Sequence, residues 1–437
     1  MGGLQVAHRF EGYPEVQLNL NVRGMPPSAT IAINEKSRQM QKEGREVYRL
    51  GLGQSPFPVP ESVVEELRRN AHQKDYLPVK GLDELREAVA AQHRRDFDVE
   101  CSADDVIVGP GSKELMFLLQ LVYYGDIVIP TPAWVSYAPQ ARIIGRLTHF
   151  INTRGEDQWR FMPDQLEALC RQDPGRPLIV VLNYPSNPTG GTYTEDELDA
   201  LAEVASNNKV VLLADEIYAR LHHDGLHKSI VPIYPQGTIY SGGLSKWCGA
   251  GGWRLGLFVV PRRMRWLLDA MAATASETFT STSAPIQYAA VRAFQGGEDI
   301  EAYLVQCRRV LKALGLCLAA RLRQAGVGVV DPAGAFYLFP DFGPQAEALA
   351  DRGIVGSQQL CARLLEETGV AILPGVDFGR PPAELTARLA YVNFEGERAL
   401  AGARALPESK PLGEEFLREF CGPTLAAVER LCDWLRG

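Results

Sequence analysis

The sequence lacks any run of about 18 apolar residues, which excludes a helical membrane span. It also lacks a C-x-x-C pair. Its eight cysteines, Cys101, Cys170, Cys248, Cys307, Cys317, Cys361, Cys421 and Cys432, are scattered. That spacing argues against a zinc site and against a disulfide framework, and predicts reduced thiols in a cytoplasmic protein with no metal. The opening MGGLQVAHRFEGYPEV has neither the apolar stretch of a signal peptide nor the Ser or Thr of a myristoylation signal. No basic cluster interleaved with aromatics occurs, and 45 Lys+Arg against 53 Asp+Glu leave a net charge of −8. Nucleic acid is therefore not expected as a partner, nor is a membrane. Internal repeats and low-complexity tracts are absent too.

What is present is an ordinary globular composition, 46% apolar and 22% charged. A chain of 437 residues exceeds what one hydrophobic core usually fills, so two domains are expected. Residues 1 to about 30 read as an arm. A helical stretch, IAINEKSRQMQKEG, follows it, then VYRLGLGQSPFPVP, a short strand breaking into a Gly/Pro loop. From about residue 61, short apolar runs alternate with amphipathic segments: VIVG, DIVIP, PLIVVLN, VVLLAD, TIYSG and GLFVV. Each run is apolar throughout rather than alternating, as strands covered on both faces are. A mostly parallel sheet between two helix layers follows, an α/β fold of α/β/α layering. After about residue 300 a long helix is expected from Ala302 through Arg323, then strand-like VGVVDPAGAFYLFP and ARLAYVNF, then a last amphipathic helix. The expected division is an arm and part of a small domain over 1–60, a large domain over 61–325, and a smaller α+β domain over 326–437.

In open α/β sheets, ligands bind at the carboxyl ends of the strands. VIVG leads to Pro110-Gly111-Ser112-Lys113, and DIVIP to Trp134. LIVVL leads to Asn183-Tyr184-Pro185-Ser186-Asn187-Pro188-Thr189-Gly190, and VVLLA to Asp215-Glu216-Ile217-Tyr218. TIYSG leads to Ser245-Lys246, with Arg254 eight residues on. An anion cradle, an aromatic, an amide, a carboxylate and a lysine at five strand ends match one ligand class. That class is a phosphorylated aromatic carbonyl compound with a basic ring nitrogen.

The order and spacing of these segments resemble class I/II aminotransferases, fold-type-I enzymes dependent on pyridoxal 5'-phosphate (PLP). The motifs are Tyr76 and Gly81 in YLPVKGLDELR, Trp134 in PAWVSY, the SNPTG turn, Asp215 and Tyr218 in ADEIY, and SKWCGAGGWRLG around Lys246. The likeness spans about residues 48 to 396. It implies that Lys246 forms the Schiff base and shuttles a proton, as a desolvated lysine beside cations can. Asp215 would face the pyridine nitrogen and favour the protonated ring. Tyr218 and Asn187 would hydrogen-bond the phenolic oxygen, and Trp134 would stack on the ring. Backbone N–H groups of Gly111, Ser112 and Lys113 would hold the phosphate at a helix start, with Arg254 as a fixed fork. Ser245 is a weaker phosphate candidate, because the family's serine lies three residues before the lysine, where this chain has Gly243. Tyr76 would reach the phosphate of a neighbouring subunit, implying a homodimer with shared sites.

Each residue also has a plain reading: a surface lysine, a helix-capping Asp215, a turn Asn187, a core Trp134, an interface Tyr76. The glycines near Lys246 lack P-loop or Rossmann spacing.

On the substrate side, PGVDFGRPPAELTARLAYVNF resembles the family's PG-x-x-FG followed by an arginine opening a strand. That implies Arg388 as receptor for the α-carboxylate, with Arg380 as a competitor and the backbone N–H of Gly53 assisting. Lys113 stands where some bacterial aspartate aminotransferases meet a distal carboxylate, which hints at an acidic substrate, unless its backbone alone matters. The expected activity is transfer of an amino group from an L-amino acid to a 2-oxo acid. The same site chemistry could serve a C–S lyase or another eliminating or synthase enzyme. A non-enzymatic PLP-binding regulator is the remaining alternative, but regulators of that kind carry a DNA-binding segment for which the residues ahead of the first motif leave little room.

Overall fold

The computed structural model describes residues 17–437, so most of the expected N-terminal arm lies outside the described residues. Residues 17–28 contain no helix or strand, and a helix then runs from Ala29 to Lys42.

The centre is a seven-stranded sheet. Its spatial order is Val106–Gly109, Gly256–Val259, Thr238–Gly243, Val211–Asp215, Leu178–Asn183, Asp126–Thr131 and Thr148–Asn152. All strands run parallel except Gly256–Val259, which is antiparallel to both neighbours. The continuous apolar runs follow from this layering. In the Leu178–Asn183 strand, Ile179 and Val181 pack with Leu115, Leu119, Leu267 and Met271 on one face. Leu178, Val180 and Leu182 pack with Leu166, Leu198 and Leu201 on the other. Successive side chains alternate faces, so a strand buried on both faces must be apolar at every position. The Thr148–Asn152 edge strand was not among the expected strands. It is half exposed and mixes Phe150 and Ile151 with Thr148, His149 and Asn152, so it carries no continuous apolar run.

The crossover helices start on local signals. Thr194 and Glu197 form reciprocal hydrogen bonds at the start of the Glu195–Asn207 helix, Glu197 Oε2 accepting from the Thr194 N–H at 2.9 Å. The long helix runs from Glu298 to Gln324, slightly beyond both expected ends, and the last from Glu414 to Arg436, with a kink at Cys421 two residues before Pro423.

The remaining sheets are small. Tyr337–Leu338, Ala387–Ala390 and Leu373–Pro374 form an antiparallel sheet, so most of VGVVDPAGAFYLFP is irregular. Tyr48–Arg49 pairs in parallel with Val370–Ala371, joining a segment near the start of the chain to one near its end. No described helix is long and apolar enough to cross a membrane.

Candidate active site at the carboxyl edge of the sheet

The parallel strands end at one edge of the sheet, and the antiparallel strand begins there. A cavity of about 470 Å³ opens at this edge. Strand ends deliver Asp215, Asn187, Ser245 and Lys246 to it. Ser112 and Lys113 arrive at the start of the Ser112–Val122 helix, and Trp134 from the loop after Thr131. Tyr218, Arg254, Gly53 and Arg388 complete the wall.

Lys246 Nζ donates to the Gly53 carbonyl oxygen at 2.8 Å. Burial, then Arg388 and Arg254, pull its pKa down to about 8, with Asp215 opposing. An amine so placed is unprotonated far more often near neutral pH than an ordinary lysine, which favours its use as a nucleophile or base.

Asp215 is buried, and burial raises its carboxyl to about 6 despite two hydroxyl donors. Tyr137 donates to Oδ2 at 2.5 Å and Ser241 to Oδ1 at 3.3 Å. Neither donor brings a charge, so a cationic ring nitrogen would be its natural complement. Behind it, Asn183 Nδ2 donates to the Asp215 carbonyl at 2.7 Å, and Asn183 Oδ1 accepts from the Asn187 N–H at 2.7 Å.

The helix start at Gly111 is shaped as an anion cradle. Gly111 has φ 95°, and a Cβ there would lie 2.2 Å from an Arg254 guanidinium nitrogen. Arg254 is itself held by the Gly251 carbonyl at 2.8 Å and the Pro110 carbonyl at 3.2 Å. The departure noted at Gly243 also has a steric reason: a Cβ there would sit 2.7 Å from the Leu255 carbonyl oxygen, so a serine does not fit without backbone movement. Ser245 instead lines the cavity.

Two arginines competed for the carboxylate role. Arg380 is saturated: Nε and Nη2 meet Glu384 at 2.8 Å each, and Nη1 donates to the carbonyls of Thr131 and Thr153 at 2.9 and 3.0 Å. It does not line the cavity. Arg388 does, and it is only 2% exposed. It donates to Asn187 Oδ1 at 3.1 Å and to the Gly51 carbonyl, yet its Nε is buried without a partner among the described residues. A buried guanidinium N–H without an acceptor is costly unless a ligand supplies one.

Lys113 Nζ lies 5.3 Å from the Trp134 ring centroid, and burial, then Arg254, lower its pKa. The Trp134 ring meets Tyr137 edge-on at 5.2 Å. Of the candidates, Gly111, Arg380 and Tyr76 are not among the residues lining the cavity, and Tyr76 is 91% exposed.

The cavity also holds residues that the sequence did not single out. Tyr337 shares a 2.7 Å hydroxyl–hydroxyl bond with Tyr218, and Arg388 sits 4.9 Å over its ring. Tyr137 stands three residues after Trp134, a spacing that could have flagged it. Ser28, just before the first helix, and Thr30 and Ile31 within it also contribute; the sequence marked the helix but not its place at the cavity.

Comparison with known proteins agrees with this geometry. The family model for aminotransferase class I and II matches residues 45–392. An aspartate aminotransferase of Geobacillus stearothermophilus is 33% identical over 86% of this chain and 94% of its own. An aspartate/prephenate aminotransferase of Thermus thermophilus is 33% identical over 86% of this chain and 95% of its own. A solved structure of aspartate aminotransferase from Thermus thermophilus with maleate superposes with a TM-score of 0.81 at 30% identity, covering 96% of this chain and 99% of that one. The chain thus belongs to the class I and II aminotransferases, and is a PLP-dependent enzyme of fold type I that transfers amino groups.

Proposed function

We propose that this aminotransferase acts on an acidic L-amino acid, aspartate or glutamate, with a 2-oxo acid as acceptor, through the residues lining the Lys246 cavity. The observation that carries the reading is the meeting of Lys246, Asp215, Arg254 and Arg388 at one cavity. The cradle at Gly111 and Arg254 suits a phosphate, buried Asp215 suits a protonated ring nitrogen, and the partnerless Nε of Arg388 suits a carboxylate. The site therefore fits PLP and its substrate. Bound there, PLP supplies an electron-withdrawing ring that stabilises negative charge at the substrate α-carbon.

The chain's own residues do the rest. Asp215 holds a proton on the ring nitrogen. Tyr218 and the Asn187 amide donate toward the ring's phenolic oxygen, Asn187 Oδ1 being engaged by Arg388. Trp134 covers one ring face. Ser112, Lys113 and Ser245 join Arg254 around the phosphate. Lys246 is the attachment point and carries the proton to and from the α-carbon, which its lowered pKa allows. Arg388, with Gly53 nearby, grips the α-carboxylate and so orients the α-hydrogen for removal. That grip disfavours decarboxylation.

Lys113 supports the acidic substrate: it lines the cavity, and no carboxylate pairs with it among the described residues. The relatives named as aspartate aminotransferases agree. Tyr76, exposed and outside the lining of its own cavity, supports a homodimer whose partner's Tyr76 completes the phosphate site. The same reading divides the chain at about residues 60 and 325, supported by the pairing of Tyr48–Arg49 with Val370–Ala371.

The test is a panel of amino acids incubated with 2-oxoglutarate. One-for-one formation of the oxo acid and glutamate is expected, fastest with aspartate. Ammonia and pyruvate release without glutamate would favour an eliminating lyase. Lys113→Met should raise KM for aspartate about tenfold and leave KM for alanine unchanged. Sedimentation should give twice the chain mass.

A further inference from the structure

Immediately after Asp215 comes a second buried carboxylate that the reaction does not use. The Glu216 side chain is 0% exposed. It accepts from the Tyr184 hydroxyl at 2.9 Å, the Ser229 hydroxyl at 2.6 Å and His227 Nε2 at 2.7 Å. His227 Nδ1 is buried without a partner among the described residues, so the hydrogen that matters sits on Nε2, where it finds an acceptor. The Tyr184 hydroxyl in turn accepts from the Ile230 N–H at 2.9 Å.

Gathering so many buried polar groups away from the cavity calls for a reason, and the chain neighbours supply one. Tyr184 follows Asn183, and Glu216 follows Asp215; Asn183 and Asp215 are directly paired across two strands. Asn183 already bonds both the Asp215 carbonyl and the Asn187 N–H. The Tyr184–Glu216 bond therefore ties the same two strand ends one residue further along. Both Glu216 oxygens and the Tyr184 hydroxyl are hydrogen-bonded here, and a buried carboxylate held so specifies one geometry, because displacing it strands a polar group.

We propose that Glu216, held by Tyr184, Ser229 and His227, is a positioning residue that fixes the two strand ends relative to one another and thereby the separation between Asp215 and Asn187. The inference rests on those two residues contacting PLP.

The experiment uses the full chain and compares Glu216→Gln, Tyr184→Phe, His227→Gln, His227→Phe and Asp215→Asn. Four quantities are measured: the PLP dissociation constant, the pH midpoint of the bound cofactor's absorbance, kcat with KM, and Tm. Glu216→Gln and Tyr184→Phe should weaken PLP binding and lower kcat about tenfold each, the scale of one buried hydrogen bond, and displace the absorbance midpoint. KM for the amino acid should stay within twofold. His227→Gln, which keeps an N–H toward Glu216, should retain wild-type behaviour, whereas His227→Phe should match Glu216→Gln. Should Glu216→Gln not fold, Tyr184→Phe and the two His227 variants decide. A lower Tm with unchanged PLP affinity, midpoint and kcat would make the network a stability clamp only and overturn the proposal. If Asp215→Asn also leaves PLP affinity and midpoint unchanged, the underlying assignment of Asp215 fails instead.

Discussion

The two edges of the central sheet treat the same side chain in opposite ways. At the amino edge, Asp126 receives Arg176 at 2.7 and 2.9 Å and His149 at 2.9 Å, and Asp105 is bonded by Ser102, Arg262 and Arg265. Burial pushes both carboxyls up, but those partners outweigh it and hold each below its ordinary value. At the carboxyl edge, Asp215 has two hydroxyls as its side-chain partners among the described residues, so burial wins and raises it to about 6. One edge is electrostatically closed and serves stability. The other is left open to a ligand that brings the missing charge.

The comparison can be broken or sharpened experimentally. The largest effect belongs to Lys246→Ala, which should cut turnover about a thousandfold or more and abolish the borohydride-reducible adduct detected by mass. An adduct that survives would sink the assignment of this lysine. Next, Arg388→Ala should lower kcat/KM about a hundredfold by removing charge-assisted bonds to the carboxylate. Arg380→Ala should act mainly on Tm, so steady-state kinetics and thermal melts separate the two arginines.

At the amino edge, Asp126→Asn or Asp105→Asn should cost about 3 kcal/mol of stability and leave kcat at 25 °C unchanged. Their folded pKa values are depressed, so the stability they contribute is present above the ordinary carboxylate range. It is lost as pH falls through the folded value, below about pH 4. The smallest effect has the opposite sign. Because Asp215 moves from 3.8 up to about 6, ionising it costs stability in the cofactor-free protein. Asp215→Asn should therefore stabilise the cofactor-free chain by about 2 kcal/mol at pH 8, and the gain should fade as pH drops from 6 toward 4. Denaturant melts at the two pH values would show it; a gain independent of pH would contradict it.

The sheet was legible because buried parallel strands must be apolar at every position, and five of those runs end directly in the residues that line the cavity. The Thr148–Asn152 strand escaped notice because an edge strand needs no such run. Two strands of the small sheet, Tyr337–Leu338 and Ala387–Ala390, fall within the segments expected as strand-like; their bounds were not legible, because a strand as short as Tyr337–Leu338 is fixed by its partners rather than by any local pattern. The same applies within the site. Lys246, Asp215 and Arg254 stand in spaced motifs, whereas Tyr337 reaches Tyr218 from 119 residues away, and only folding brings them together. The sequence favours Arg388 over Arg380 by its place at the start of a strand; what it does not show is the Glu384 carboxylate held against Arg380.

The pinning of Arg254 also bears on how fast an anion can be captured. A free arginine side chain samples many rotamers, and ordering it on contact costs about 2 kcal/mol of entropy. Here the carbonyls of Gly251 and Pro110 have already ordered the guanidinium beside Gly111, so that cost falls on folding and not on the encounter. Capture of the phosphate should then be limited by diffusion into the cavity more than by any search among side-chain conformers.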